Sequence, residues 1–388
     1  MKRIASYVLL PLTVMLLTAF VIKKHQNPAE QRNTYIHPKS KAKIQAAILL
    51  DVSNSMDGLI NQAKLQLWNM VSVMGRGKCD GETPDIELAL YEYGRSDNEI
   101  SKGYVKQLAA FTTNLDSLSN ILFGLTTNGG DEFCGQVIYT SLNDLTWDTN
   151  PATYKVIFIA GNEDFLQGNL QYTKACSLAK NKSVVVNTIY CGPREQGIRE
   201  HWNLNDECGS GSFSNINQNA SMEEIPTPYD TVLLALNSSL NATYMWFGSD
   251  GLTAGMQVQE VDAKTANVNQ AAAIKRIEVK GNSKVYRNAA ADLVDASKEN
   301  KNFISKMDKS MLPDSLKNKS TAELEKIIKE KSSAREAIQR QIIEISSKRN
   351  AYIDQQRKLN AGKQEQTLET EIEKIIRKQA KNYRIVID

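Results

Sequence analysis

An aspartate and two serines at alternate positions, Asp51-Val52-Ser53-Asn54-Ser55, are the residues of this 388-residue chain best suited to chemistry. One carboxylate and two hydroxyls on a single turn present three hard oxygen donors. Magnesium prefers such ligands and usually retains some of its waters. Three oxygens close in sequence suit such an ion, with the remaining ligands drawn from distant loops.

Other chemistries have thinner support. The histidines are His25, His37 and His201, so a Ser-His-Asp or metal-histidine centre would rest on His201 alone. No Gly-x-x-x-x-Gly-Lys phosphate loop is present, which argues against nucleotide hydrolysis. A metal-activated water would need a general base. Glu132 and Glu163 are the candidates worth naming, and neither has an obvious seat. The expectation is a protein that is not an enzyme. With 47 basic against 44 acidic side chains and no basic motif interleaved with aromatics, nucleic acid is not an expected partner.

The elements that must position Asp51 follow from the apolar patterning. Ile44–Leu50, Val156–Ala160 and Val184–Tyr190 are runs apolar on both faces, and Ile86–Tyr93 reads as a further strand. Helical spacing follows from Met56 to Met74, with Leu59, Ala63, Leu67 and Met70 on one side. It recurs over Leu115–Leu125, Gln136–Leu145, Tyr172–Lys180 and Thr227–Leu240. Doubly apolar strands alternating with helices predict an α/β fold: a doubly wound, mainly parallel sheet over residues 43–248. Ligands of such sheets sit beyond the carboxyl ends of the strands. The loops after Leu50, Leu125 and Ala160 are therefore the ones to watch.

With its strand before and helix after, Asp51-x-Ser53-x-Ser55 resembles the metal-ion-dependent adhesion site (MIDAS) of von Willebrand factor A (vWA) and integrin I domains. The resemblance covers residues 43–248. It implies a second ligand from a Gly-Gly loop, here Thr126-Thr127-Asn128-Gly129-Gly130-Asp131-Glu132-Phe133-Cys134-Gly135. Asp131 is the favoured residue, with Thr127 and Glu132 as substitutes. Cys134 stands where one branch has an acidic ligand, and a neutral thiol is a poor partner for a hard cation. The third family ligand is an aspartate ending the central strand. Ala160 occupies its place, so Asn162, Glu163 or Asp164 would have to reach in, or a water would fill the gap. The expected metal set is Asp51, Ser53, Ser55, Asp131 and Asn162, holding Mg2+, or Mn2+ or Ca2+. The resemblance implies a protein partner whose acidic side chain completes the coordination. The alternative is a metal-free vWA scaffold that assembles through its C-terminal helices.

The flanks set location and assembly. Met1-Lys2-Arg3 precedes an apolar run from Ile4 to Ile22, and residues 1–25 read as a signal peptide or signal anchor. Residues 26–42 read as a polar tether. The chain is expected to be exported, membrane-anchored or periplasmic/extracellular, in the cell envelope. Export permits disulfides, and Cys191 with Cys208 is the expected bridge among five cysteines. Residues 249–315 show little periodicity and read as a linker or extension. In 316–388, Leu324, Ile328, Ile338, Ile342, Ile345 and Tyr352 mark one amphipathic helix, interrupted by Lys331 and Arg335. Leu368, Ile372, Ile375 and Ile376 mark a second. A helical hairpin or short coiled coil is expected there, with self-association as one use for it.

Overall fold

The computed structural model describes residues 42–57, 60–204, 208, 210–216, 225–359 and 368–387. The signal-anchor reading of residues 1–25 and nearly all of the 26–42 tether lie outside them. Among the described residues, no helix is long and apolar enough to cross a membrane.

The chain opens with β1 (Lys43–Asp51), α1 (Ile60–Gly75), β2 (Gly77–Lys78), β3 (Asp85–Tyr93) and β4 (Lys106–Thr112). It continues through α2 (Leu115–Gly124), α3 (Cys134–Asp144), β5 (Tyr154–Gly161), α4 (Tyr172–Lys182), β6 (Val185–Cys191), α5 (Arg194–Arg199) and β7 (Phe213–Ile216). Six strands form one sheet in the order β4-β3-β1-β5-β6-β7. All its pairings are parallel except β3 with β4. The doubly wound, mainly parallel sheet is thus present, with an antiparallel edge strand that the sequence pattern had not marked.

Strand alternation divides the core in two. Ile44, Ala46 and Leu50 of β1 join Val156, Phe158 and Ala160 of β5 in a core that continues into α1 and α2. Ala47 and Leu49 join Ile157 and Ile159 in the opposite core, with α3 and α4. Both faces of β1 are therefore covered, which is why its sequence reads as an unbroken apolar run.

From residue 225 the chain is helical: α6 (Asp230–Asn241), α7 (Gly251–Val268), α8 (Gln270–Gly281), α9 (Leu293–Glu299), α10 (Phe303–Lys306), α11 (Asp314–Lys317), α12 (Thr321–Leu359) and α13 (Leu368–Ala380). The segment read as a linker is folded. Its periodicity was masked because α8 buries two cations, Arg276 and Lys280, within its helical face. Arg276 pairs with Asp116 of α2 at 2.6 Å and with Asp262 of α7 at 2.5 Å, and Lys280 reaches Asp262 at 2.9 Å. Small residues hide further contact. A Cβ on Gly281 would come within 2.6 Å of Ile342 Cγ2.

The C-terminal helices pack on the rest of the chain. Helix α12 lies against α6, α8 and α9, and its stripe continues through Arg335 rather than breaking there. Arg335 is buried and bonds Asp292 and Asp295, each at 2.7 Å, with Tyr244 beneath its guanidinium. Helix α13 returns to α1 and β7. Its Gln379 exchanges hydrogen bonds with Asn187 of β6 and accepts one from Tyr154 of β5. The last strand, β8 (Val386–Ile387), pairs with β2. The α/β layer therefore takes in residues 368–387 as well as 43–216, with the helical layer inserted between β7 and α13.

Candidate metal centre

Asp51 ends β1 and is buried, level with Tyr93 at the end of β3. The backbone N–H of Ser53 donates to Asp51 Oδ1 at 2.8 Å, which turns the chain sharply after the strand. The hydroxyls of Ser53 and Ser55 lie 2.7 Å apart. Ser55 donates to Asn162 Oδ1 at 2.7 Å, and Asn162 Nδ2 returns a bond to the Ser55 carbonyl at 3.1 Å. Four of the five expected ligands, Asp51, Ser53, Ser55 and Asn162, are thus brought together.

The fifth, Asp131, does not join them. Asp131 is exposed, whereas Glu132 is buried beside Asp51 and Ser53. The cause is the packing of the Gly-Gly loop. Gly130 lies so close to the 94–96 backbone that a Cβ would meet Gly94 O at 2.6 Å and Ser96 N at 2.8 Å. Ser96 N–H donates to Gly129 O, and Asn128 N–H to Val52 O. With the loop held there, Glu132 enters the site and α3 begins two residues later. Thr127, a substitute by sequence, is spent on a hydrogen bond to Asp57.

Gly94 was missed by the sequence reading. It adopts a left-handed φ of 79° and lies against both carboxylates. A Cβ there would fall 2.8 Å from Asp51 Oδ1 and 3.0 Å from Glu132 Cγ. The signal available was its place directly after Tyr93, at the carboxyl end of the strand beside β1.

Ala160 points its methyl into the α1-side core together with Leu50, its partner in the sheet. The residue beyond it, Gly161, is closed to any side chain: a Cβ would meet Tyr93 Oη at 2.4 Å and Asp51 Cβ at 3.2 Å. No aspartate fits at the end of this strand, and Asn162 supplies the next polar group. Trp202 Nε1 donates to Glu163 O at 2.7 Å and steadies this loop. His201 turns to Asp164 at 3.1 Å, and Cys134 is buried against Tyr93 Oη.

The electrostatics favour a cation. Burial raises the Asp51 carboxyl to about 7, against the lowering effect of the Ser53 backbone and hydroxyl and with a further push from Glu163. Burial, then the charges of Asp51 and Glu163, raise Glu132 to about 7. Asp51 Oδ2 is buried and accepts no hydrogen bond. Such an orphaned acceptor is costly unless something positive meets it. Among the described residues no group of three or more His, Cys, Asp or Glu side chains is arranged to hold a metal. Two carboxylates with two hydroxyls and an amide oxygen are a different donor set, all oxygen, of the kind magnesium and manganese take.

The sheet order, and the seat of Asp51-x-Ser53-x-Ser55 at the carboxyl end of a central strand, decide the architecture. The fold is of the vWA type. No family model matches the chain, and no curated protein matches it. Solved vWA structures are similar to it. The SpRpn10 VWA domain is 14% identical over 46% of this chain and 91% of that one, with a TM-score of 0.34. BatB from Bacteroides thetaiotaomicron is 14% identical over 45% of this chain and 90% of that one, also at 0.34. Proximal thread matrix protein 1 from the mussel byssus, in a structure with a zinc-occupied MIDAS motif, is 14% identical over 46% of this chain, with a TM-score of 0.34. The match spans 43% of the mussel protein's length.

The disulfide is a correction. Cys208 bonds Cys176 of α4, and Cys191 is a free, buried thiol. The reason is the pleat. Cys191 faces the α1-side core, whereas Cys176 and Cys208 pack in the α3/α4-side core across the sheet. The two cysteines of the expected pair lie on opposite faces of one layer.

Proposed function

We propose that this chain is a metal-ion-dependent protein-binding module of the cell envelope and not an enzyme. Asp51, Ser53, Ser55 and Glu132 would hold a divalent ion, magnesium in the first instance, with Asn162 at the rim. The bound ion would supply a Lewis-acidic position that accepts an Asp or Glu side chain of a partner protein. The orphaned, buried Oδ2 of Asp51, with a second buried carboxyl, Glu132, close enough to feel the Asp51 charge, is the observation that carries this reading. On this reading both carboxyls would serve as ligands rather than as a general base, and His201 is hydrogen-bonded to Asp164. The metal-free scaffold is the weaker reading, because α12 spends Leu324, Ile328 and Ile342 inside its own chain.

The open position has its own test. Manganese bound to the full chain should enhance the relaxation of water protons. An Asp-containing peptide that binds should reduce that enhancement by displacing metal-bound water, and its Asn counterpart should not. Equal effects of the two peptides would refute the carboxylate-accepting role.

A further inference from the structure

A cavity of about 590 Å³ lies away from Asp51, between the α/β layer and the helical insert. Helices α1, α8, α12 and α13 line it. Its size is that of small-molecule sites, which form preferentially where two structural parts meet. The cations in its walls are already paired. Arg76 and Arg377 share Glu373, at 2.6 and 2.7 Å, and Arg377 also donates to the Ile387 carbonyl. Lys78 donates to Thr83 at 2.7 Å, and Arg349 pairs with Asp230 at 2.7 Å. Lys275 lies 3.6 Å from Glu278, and Arg357 is engaged as well. An anion therefore finds no free cation here. A cation would meet six basic side chains against three acidic ones among the described lining residues. The charges select a neutral ligand.

Three polar atoms of lining residues are nevertheless buried without a hydrogen-bond partner: Arg76 Nε, Glu278 Oε1 on α8 and Ser346 Oγ on α12. Ser72 of α1 donates to the other oxygen of Glu278 at 2.9 Å. The Arg76 N–H bonds the Ser72 carbonyl, so Arg76 stands one turn beyond the residue that holds Glu278. Orphaned groups of this kind cost stability until a partner reaches them. Beside them the wall is aliphatic, with Ala272, Val279, Val285 and Ile343. No aromatic side chain is among the described lining residues, so there is no platform for ring stacking. Ile343 is 55% exposed, which places it where the cavity meets solvent.

We propose that this cavity binds a neutral aliphatic polyol, its hydroxyls meeting Arg76, Glu278 and Ser346 and its alkyl part lying along Ala272, Val279 and Ile343. A carboxylate oxygen only accepts hydrogen bonds and a guanidinium N–H only donates them. The ligand's head must therefore do both, and a hydroxyl does. A carboxylate head could not serve Glu278, and an ammonium head could not serve Arg76. A small polyol without an alkyl chain would leave the aliphatic wall unused.

The test is calorimetry on the full chain with four soluble probes: 1,2-octanediol, octanoate, octylammonium and glycerol. The first three share one chain length and differ in the charge of the head. The expected result is saturable binding of one octanediol per chain, with both charged probes weaker by about tenfold or more. Glycerol should not bind measurably. Ser346→Ala should weaken octanediol by about three- to tenfold while leaving the melting temperature unchanged or higher, because it removes an orphaned hydroxyl. Ile343→Ser, at an exposed position, should weaken it by about threefold through loss of apolar contact. Absence of octanediol binding, or octanoate, octylammonium or glycerol binding as tightly, would overturn the proposal. So would octanediol affinity unchanged in both variants.

Discussion

Gly94 lies directly against Asp51, so that a single methyl group at position 94 would come within 2.8 Å of the Asp51 Oδ1 atom. The same methyl would press on Glu132, and the residue holds a φ of 79° that side chains rarely adopt. Gly94→Ala should therefore cost about 1–3 kcal/mol of stability through strain alone. It should also weaken metal binding by more than that strain explains. Chemical denaturation beside a manganese titration would separate the two effects.

Glu132 and Asp131 are neighbours with opposite surroundings, one buried beside Asp51 and the other in solvent. Glu132→Gln should reduce divalent-ion affinity by about tenfold or more, since it removes one of two anionic ligands. Without metal, the same change should leave the melting temperature unchanged or higher, because it relieves repulsion between two desolvated carboxyls. Asp131→Asn should alter neither. A melting curve with and without magnesium for each variant reads both outcomes.

Arg335 is 1% exposed and bonded to Asp292, Asp295 and Thr243, so it ties α12 to the base of α9. Arg335→Ala would leave Asp292 buried and unpaired, at a cost of about 3–5 kcal/mol. Lys348→Ala removes an exposed pair with Glu344 and should leave stability essentially unchanged. Urea unfolding of the two variants should show that contrast.

Acid should loosen the helical insert. Burial acts to raise the Asp262 carboxyl, but Arg276 and then Lys280 overcome it and hold the group well below the usual carboxylate range. A carboxyl depressed by folding contributes stability that is complete above its unfolded pKa of about 3.9 and fades as pH falls below it. Stability should therefore drop from about pH 4 downward. Asp262→Asn should lose stability at neutral pH and show a shallower acid limb. An acid limb as steep in the variant as in the native chain would count against the assignment.

The Cys176–Cys208 bridge spans 32 residues and should contribute about 3 kcal/mol by restricting the unfolded chain. Cys176→Ser should lose that amount under oxidising conditions, whereas Cys191→Ser should keep the bridge. Peptide mapping without reduction would show which pair is joined.

Much of the α/β layer was legible because β1, β5 and β6 are covered on both faces and so carry apolar runs that few other elements produce. The Asp51 turn was legible for the same reason: it ends one of those runs. That Glu132 rather than Asp131 lies beside Asp51 was not legible, because loop residues have no periodicity. The choice depends on Gly130 closing against Gly94, a contact between residues far apart in the chain. Cys191 was paired with Cys208 by proximity along the chain, whereas the pleat put them on opposite faces. The insert was obscured by its buried cations, since Arg276 and Lys280 occupy positions where a helical pattern would show apolar residues. Nothing local announces that α13 returns to the sheet, because its Gln379 meets Asn187 of β6 across 192 residues.

Calorimetric titration of the full chain with magnesium and manganese, beside Asp51→Ala, tests the central claim most directly. The account predicts saturable binding of one ion per chain in the native protein and none in the variant, with the fold of both unchanged by circular dichroism. Ion binding that survives loss of the Asp51 carboxylate, or no binding to the native chain even with a carboxylate-bearing peptide present, would contradict it.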